Sequence, residues 1–192
     1  MPRPALACSL ALALQPSCVI DELEDDDVGD ASFCDAASPW PRDYAELEAD
    51  LLDRLATLRR QGRTCGEVRH NPVAALRLQP QLHCAARLHA TWIAEHEGLP
   101  HEGQGGTTPL SRAALAGYDG ALRYELLARD FEGPGAVLRA WLDEPAHCDA
   151  LFDRRVQEIG VGHSRSDPGT PGSRGSPDGI GWVVVLGERE PE

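Results

Sequence analysis

The segment Trp141-Leu-Asp-Glu-Pro-Ala-His-Cys-Asp-Ala-Leu-Phe152 decides the fold, together with Glu158-Ile-Gly-Val-Gly162 six residues later. Residues 135–142 predict a short helix. Pro145 is typical of the first turn of a new helix, with Glu144 near its cap. The Ile and Val residues of 158–163 predict a strand. A pair of short helices is therefore followed directly by a strand.

Two longer helices are predicted upstream. In residues 43–61 leucines recur at steps of three and four, and residues 82–96 carry a second apolar face. Ser111 is predicted to cap a short helix that ends at Gly117. Residues 180–186 predict a second strand, after a polar loop at 164–179. Because the helices precede the strands, we expect an α+β fold with helices packed on a small antiparallel sheet.

The composition limits the classes of partner. The 192 residues suffice for one domain with a real core. The formal net charge is −13, and residues 21–30 hold seven acidic side chains and no basic one. This balance argues against nucleic acid, whose backbone needs a basic patch. No apolar run reaches the ~18–20 residues of a membrane-spanning helix. We therefore expect contact with a membrane only through a lipid anchor.

The N-terminus is typical of an export signal. Arg3 is followed by an apolar run to Leu14, then by Cys18 and an acidic stretch. A cysteine after such a run resembles a bacterial lipoprotein signal, with Cys18 as the lipidated residue; ordinary secretion and no export are the alternatives. We expect a signal peptide at 1–18, an acidic disordered spacer at 19–42 and a folded domain at 43–190. The protein is thus expected in the cell envelope or outside the cell.

The folded part resembles the CAP superfamily, the cysteine-rich secretory, antigen 5 and pathogenesis-related proteins, also called the SCP domain. The resemblance covers roughly residues 43–187 and rests on His101, Arg112, Ala116-Gly-Tyr118, Glu125 and His147 at fitting distances. It implies a three-layer α-β-α sandwich, in agreement with the predicted helices and strands.

The resemblance also implies a cleft formed by four side chains, His101, Glu125, Glu144 and His147. His101 follows the second helix, as the first histidine of the family does. Glu144-Pro-Ala-His147 stands where the family has Ser-Pro-Gly-His. Glu144 follows Trp141 by three residues, which is the place of a second glutamate in many eukaryotic members.

Two family motifs are altered. Where the family has Gly-Glu-Asn-Ile, this chain has Tyr124-Glu-Leu-Leu127, which keeps the glutamate but not its flanking glycine and asparagine. Where the family has Trp-Thr-Gln, this chain has Trp182 followed by two valines. Arg112 is expected to pair with a carboxylate or to cap a loop. Tyr118 and Trp141 are expected in the core, and the remaining histidines on the surface or in the core.

Four cysteines remain beyond the predicted signal peptide, an even number that fits an exported protein. In one bacterial branch of the family a Cys-Gly pairs with the cysteine after the cleft histidine, which implies a disulfide between Cys65 and Cys148. Cys34 and Cys84 are then the second pair. The alternative for Cys84 is a buried free thiol.

Two imidazoles and two carboxylates support three roles. They fit a divalent metal, zinc by default, with His101 and His147 as ligands. They also fit an acid–base pair, or hydrogen bonds that only hold the cleft together. The sequence offers no clear nucleophile, so no residue is assigned as catalytic.

These roles correspond to three functions. The leading hypothesis is an exported, non-catalytic protein whose cleft binds a small molecule, a lipid or an envelope protein. The second is a metal-assisted hydrolase of the peptidase type, and the third is a structural lipoprotein with a vestigial cleft. The altered motifs favour the third hypothesis over the second.

Overall fold

The computed structural model describes residues 28–166 and 179–189. Their α-helices are α1 (Arg42–Gln61), α2 (Pro80–Glu95), α3 (Pro109–Leu115), α4 (Pro134–Asp143) and α5 (Pro145–Phe152). Their strands are β1 (Arg63–Cys65), β2 (Val68–His70), β3 (Arg77–Leu78), β4 (Ala121–Arg129), β5 (Glu158–Arg165) and β6 (Ile180–Glu188). The predicted signal peptide with Cys18, and most of the predicted loop at 164–179, lie outside the described residues.

The main sheet has four strands in the order β3-β5-β6-β4. β6 pairs antiparallel with β5, as expected, and also with β4, which the sequence did not predict. β3 adds a short parallel edge beside β5, so the sheet is mixed rather than wholly antiparallel. β1 and β2 form a separate antiparallel hairpin.

Helices cover both faces of the main sheet, which gives the expected three layers. Successive side chains of a strand point to opposite faces. Val184 and Leu186 of β6 accordingly pack with α1, α4 and α5, whereas Val183 and Val185 pack with α2. This alternation explains why residues 180–186 read as an almost continuous apolar run. Among the described residues, no helix is both long and apolar enough to cross a membrane.

α2 lies directly against the sheet because glycines stand beneath it. A Cβ atom built on Gly160, Gly162 or Gly181 would come 2.1–2.2 Å from the backbone of α2. The α2 residues that face these glycines are Leu82, Ala86 and Ala90, which are spaced four positions apart. Small residues on both sides therefore set the short distance between helix and sheet.

The second half of the predicted spacer is ordered, which corrects the prediction of disorder for 19–42. Residues 32–37 form a 3₁₀ helix, and Val28, Cys34 and Ala37 are buried. A Cys34–Cys84 disulfide ties this segment to α2. The bond also excludes the free-thiol alternative for Cys84. A few apolar side chains and one covalent link are thus sufficient to order a segment whose overall composition is acidic.

Side chains accept hydrogen bonds along the part of the β5 edge that β3 does not cover. β3 pairs only with Glu158 and Ile159, so the next outward amides of β5 need other acceptors. The Val161 amide donates to His83 Nδ1 (3.3 Å), and the His163 amide donates to Glu48 Oε1 (2.8 Å). α1 and α2 therefore continue the hydrogen bonding that β3 begins.

Glu48 is fully buried and has several donors. Besides the His163 amide, Trp40 Nε1 donates to Oε1 (3.1 Å), and Arg87 donates to Oε2 through Nε (3.1 Å) and an η nitrogen (3.0 Å). Burial nevertheless raises the pKa of Glu48 to about 7, against the opposing charge of Arg87. The Glu48 carboxylate of α1 therefore links this helix to α2 through Arg87 and to β5 through the His163 amide.

Candidate functional site

Glu125 occupies the middle of β4, on the face covered by α2 and α3. Leu127, two residues on, packs with α2, whereas Leu126 packs with α4 and α5 on the other face. The Glu125 side chain is 2% exposed. A carboxylate at such a position must be paired, because burying an unpaired charge is costly.

Both oxygens of Glu125 are engaged by protein donors. His101 Nδ1 donates to Oε1 at 2.8 Å, and an η nitrogen of Arg112 donates to Oε2 at 2.7 Å. The His101 side chain remains 61% exposed. The predicted proximity of His101 and Glu125 is therefore present, with the histidine at the surface and the carboxylate beneath it.

Arg112 also fixes the loop that carries His101. The η nitrogen bound to Glu125 donates to the His101 carbonyl (3.0 Å), and the other donates to the Thr107 carbonyl (2.8 Å). The guanidinium thus pairs with a carboxylate and caps a loop at once, which covers both structural roles expected for it. Thr108 caps α3 and Ser111 occupies its third position in a capping box, which corrects the prediction of Ser111 as the cap.

His89 is a further member of the site that sequence reasoning left among the surface and core histidines. Its Nε2 lies 3.2 Å from the Pro100 carbonyl and 3.8 Å from Glu125 Oε1. Burial lowers its pKa to about 3, and the charge of Arg112 adds to this effect. His89 is therefore neutral at physiological pH. Its place on the apolar face of the predicted helix indicated burial, but no motif connected it with Glu125.

Gly103 allows the loop to lie this close to α2 and α3. A Cβ atom there would come 2.9 Å from His89 Nδ1 and 3.0 Å from an η nitrogen of Arg112. The glycine-rich segment 103–106 is thus part of the site's packing and not only a solvent-exposed turn.

Glu144 and His147 lie at the junction of α4 and α5. Glu144 is exposed and precedes α5 without a side-chain capping bond, whereas His147 is half-buried in the first turn. Within residues 28–166 and 179–189 no hydrogen bond joins either of them to His101 or Glu125. The structure therefore brings His101 and Glu125 of the predicted tetrad into contact.

The four cleft residues, as placed, do not fit a metal ion. Across the described part of the chain, one group of three His, Cys, Asp or Glu side chains has its ligand atoms within 4.8 Å of one another, and it is Cys65, His70 and Asp149. In the cleft, the Arg112 cation occupies one oxygen of Glu125 and would repel a second cation.

The hydroxyl groups nearest in sequence are committed to other bonds. Ser111 Oγ accepts from the Thr108 amide (2.8 Å) and donates to the Thr108 carbonyl (3.0 Å). Thr107 Oγ1 donates to the Gln104 carbonyl (3.0 Å). Among the described serines and threonines, none hydrogen-bonds to His101 or Glu125, so the site lacks the nucleophile–base contact of acyl-transfer enzymes.

Tyr118 and Trp141 have the core positions expected for them. Tyr118 is 8% exposed and donates its hydroxyl to Glu158 (3.0 Å), and burial raises its pKa well above the ordinary value. Trp141 is 2% exposed and donates from Nε1 to the Leu127 carbonyl (3.0 Å). Trp141 therefore bonds to the strand that carries Glu125, whereas Tyr118 bonds to β5.

Apolar side chains stand exposed near the site. Leu99 is 47% and Leu110 65% exposed, and each lies two residues before a member of the site, His101 and Arg112. Leu115, at the end of α3, is 50% exposed. Three of the four large exposed hydrophobic residues in the described chain therefore belong to the segments that form this site; the other is Val68.

The chain was compared with known proteins. Residues 52–185 match the model of the cysteine-rich secretory protein family, CAP. An outer surface protein of Borrelia burgdorferi is similar in structure with a TM-score of 0.54 and 26% identity, over 76% of this chain and 94% of that one.

A second solved structure is an extracellular protein of Bacillus anthracis that contains an SCP domain. Its TM-score is 0.59 and its identity 16%, over 80% of this chain and 45% of that one. No curated protein sequence matches at a significant level. Because the family model covers more than half of its length, this chain belongs to the cysteine-rich secretory protein (CAP) family.

Proposed function

We propose that this protein is a non-catalytic binding protein of the cell envelope or extracellular space, and that the surface around His101 binds an apolar or amphipathic small molecule of the lipid type. One observation carries the proposal: both oxygens of Glu125 are held by protein donors while the His101 ring above them is mostly exposed. Such a site is rigid and presents a polar group to a ligand, but it does not leave the carboxylate available for a metal or a substrate proton.

The exposed leucines support a ligand with apolar surface. Leu99 and Leu110 are exposed and lie on the two segments that Arg112 joins. A few convergent polar groups within an apolar lining are typical of small-molecule sites. The location is supported by the similar proteins, one described as an outer surface protein and the other as extracellular.

Binding of a fluorescent long-chain fatty acid to the oxidised protein tests this proposal. We expect saturable binding that Leu110→Asp weakens at least about tenfold, because burying a leucine contributes roughly 1.5–3 kcal/mol. Val68→Asp is the matched control, since Val68 is similarly exposed (53%) but lies on the β1–β2 hairpin. Equal weakening by both variants, or no binding by the wild type, would contradict the proposal.

Elemental analysis of the same oxidised protein separates this function from the hydrolase alternative. We expect no stoichiometric zinc in the wild type and no change in His101→Ala/His147→Ala. One zinc per chain that disappears in this double variant would instead support a metal-assisted hydrolase. Absence of both zinc and fatty-acid binding would leave the structural lipoprotein.

A further inference from the structure

A second cluster of reactive side chains lies away from the His101 site, where the β1–β2 hairpin meets α5. The Cys65–Cys148 disulfide, implied by the family resemblance, joins the two elements, with the Cα atoms 5.6 Å apart. Cys148 is followed by Asp149 in α5, and Cys65 shares one face of the hairpin with His70, because Arg63 pairs with His70. The hairpin and α5 therefore each supply one cysteine and one further polar residue.

The polar pair of this cluster is already in contact. His70 Nε2 lies 2.7 Å from Asp149 Oδ1, and the His70 ring stacks on Phe152 of α5 at 5.5 Å between centroids. The His70 and Asp149 side chains are 20% and 47% exposed, while both cysteines are buried. The histidine and the carboxylate therefore form the solvent-facing part of the cluster, and the two cysteines form its buried part.

The positions of the donor atoms match a metal site. A sulfur of Cys65, a ring nitrogen of His70 and a carboxylate oxygen of Asp149 all lie within 4.8 Å of one another. Cys148 supplies a fourth donor, because its sulfur is bonded to that of Cys65. In the disulfide the two sulfur atoms carry no charge and are poor ligands. As thiolates they would complete a set of four donors, two sulfurs, one nitrogen and one oxygen, each of a kind that binds zinc.

We propose that reduction of the Cys65–Cys148 disulfide converts this cluster into a zinc site formed by Cys65, Cys148, His70 and Asp149. A dithiol reductant transfers two electrons and two protons to the disulfide, the S–S bond breaks, and the reductant leaves as a cyclic disulfide. Zn²⁺ then displaces the two thiol protons and binds both thiolates, the imidazole and the carboxylate. A disulfide oxidant then accepts two electrons from the thiolates and leaves as two thiols, which forms the S–S bond again and releases Zn²⁺, so the disulfide and the zinc ion exclude one another.

The geometry requires only small side-chain movements. Zinc–sulfur bonds of about 2.3 Å in a tetrahedron hold two sulfurs roughly 3.8 Å apart, so the thiolates would separate by about 2 Å from their bonded distance. Rotation of the two cysteine side chains about their Cα–Cβ bonds, with the Cα atoms in place, supplies this increase in the sulfur–sulfur distance. Zinc would link the hairpin to α5 in place of the covalent bond, so that the link between these elements survives a change of redox state.

Zinc binding to the full chain, oxidised or reduced by a phosphine, tests the proposal. Cys8 and Cys18 are replaced by serine throughout, so that they contribute no thiols. We expect one zinc per reduced chain and none per oxidised chain, measured by elemental analysis after gel filtration. Cobalt in place of zinc should give thiolate-to-metal charge-transfer absorption in the reduced protein alone.

Variants identify the ligands. Cys65→Ser/Cys148→Ser should abolish binding, and His70→Ala or Asp149→Ala should weaken it at least about tenfold in competition with a coloured chelator. Cys34→Ser/Cys84→Ser, which removes the other disulfide, and His101→Ala should leave the affinity unchanged. Equal binding by oxidised and reduced protein, loss of binding in the Cys34→Ser/Cys84→Ser control, or affinity unaffected by His70→Ala would overturn the proposal. So would failure of the reduced chain to bind zinc, whether or not it retains its far-ultraviolet circular dichroism.

Discussion

At the scale of single residues, Arg112 and Glu125 depend on one another. Each side chain is at most 3% exposed, and their contact of 2.7 Å lies beneath His101. Arg112→Met should lower the free energy of unfolding by about 3–5 kcal/mol, because it leaves a buried carboxylate with one donor fewer and frees the loop that carries His101. Urea unfolding measures the effect.

Arg123→Met is the matched control. Arg123 lies on the same strand and pairs with Glu188, but both side chains are partly exposed, at 36% and 29%. Its loss should cost at most about 1 kcal/mol. Similar losses in the two variants would show that the buried pair contributes no more than a surface pair.

The sequence allowed part of this site to be predicted. His101, Arg112 and Glu125 were identified by their spacing relative to known motifs, and a carboxylate partner for Arg112 was expected. The neighbouring His89 was not connected with them, because its contact with Glu125 depends on how α2 lies over the sheet.

At the scale of secondary-structure elements, the backbone of α2 lies directly against the glycines of β5. Gly162→Ala would place a methyl group 2.2 Å from the Ala86 carbonyl oxygen, where only backbone atoms could move. We expect a loss of about 3 kcal/mol or more in the free energy of unfolding, or failure to fold, because the whole helix would have to shift. Thermal unfolding followed by circular dichroism checks this.

Gly133→Ala provides the comparison. No atom lies within 4 Å of a Cβ at Gly133, and its φ of −165° suits any residue. The change should alter stability by less than about 1 kcal/mol. A comparable loss at both glycines would mean that the close approach of α2 does not determine the effect at Gly162.

The longest element that the sequence did not predict is β4. Residues 121–129, Ala-Leu-Arg-Tyr-Glu-Leu-Leu-Ala-Arg, consist mostly of good helix formers and show no clean alternation. Leu126 and Leu127 are adjacent, yet both are buried, because helices cover the two faces of this strand. Tertiary packing therefore overrides local preference here. The long helices and the β5–β6 pair could be predicted, because the spacing of their apolar residues matches the faces that they bury.

At the scale of the whole molecule, buried titratable groups determine how stability depends on pH. Burial lowers the pKa of His83 well below its ordinary value, that of His89 to about 3 and that of His163 to about 4. Burial raises the pKa of Glu48 to about 7. Between pH 5 and 6 the unfolded chain binds roughly two to three more protons at these histidines, and the folded chain about one more at Glu48. The free energy of unfolding should therefore decrease by roughly 2–3 kcal/mol for each unit by which the pH is lowered in this range.

Denaturant unfolding at several pH values, repeated with His163→Phe, checks this assignment. The His163 ring lies between those of Tyr44 and Trp182, so phenylalanine should fit in its place. Removing one of the three histidines should reduce the slope by about 1 kcal/mol per pH unit. A slope that is the same in both proteins would mean that the protonation of His163 does not differ between the folded and unfolded states.

The short β3 strand has a consequence for how copies of this protein meet in solution. An uncovered strand edge offers free amides and carbonyls to the strands of other chains, and this is a common route to aggregation. Here the amides of Val161 and His163 already donate to buried side chains of α1 and α2. A second molecule could add a strand along β5 only after Glu48 and His83 had been pulled out of the interior. The buried side chains that complete this edge therefore also protect the protein from pairing with strands of neighbouring molecules.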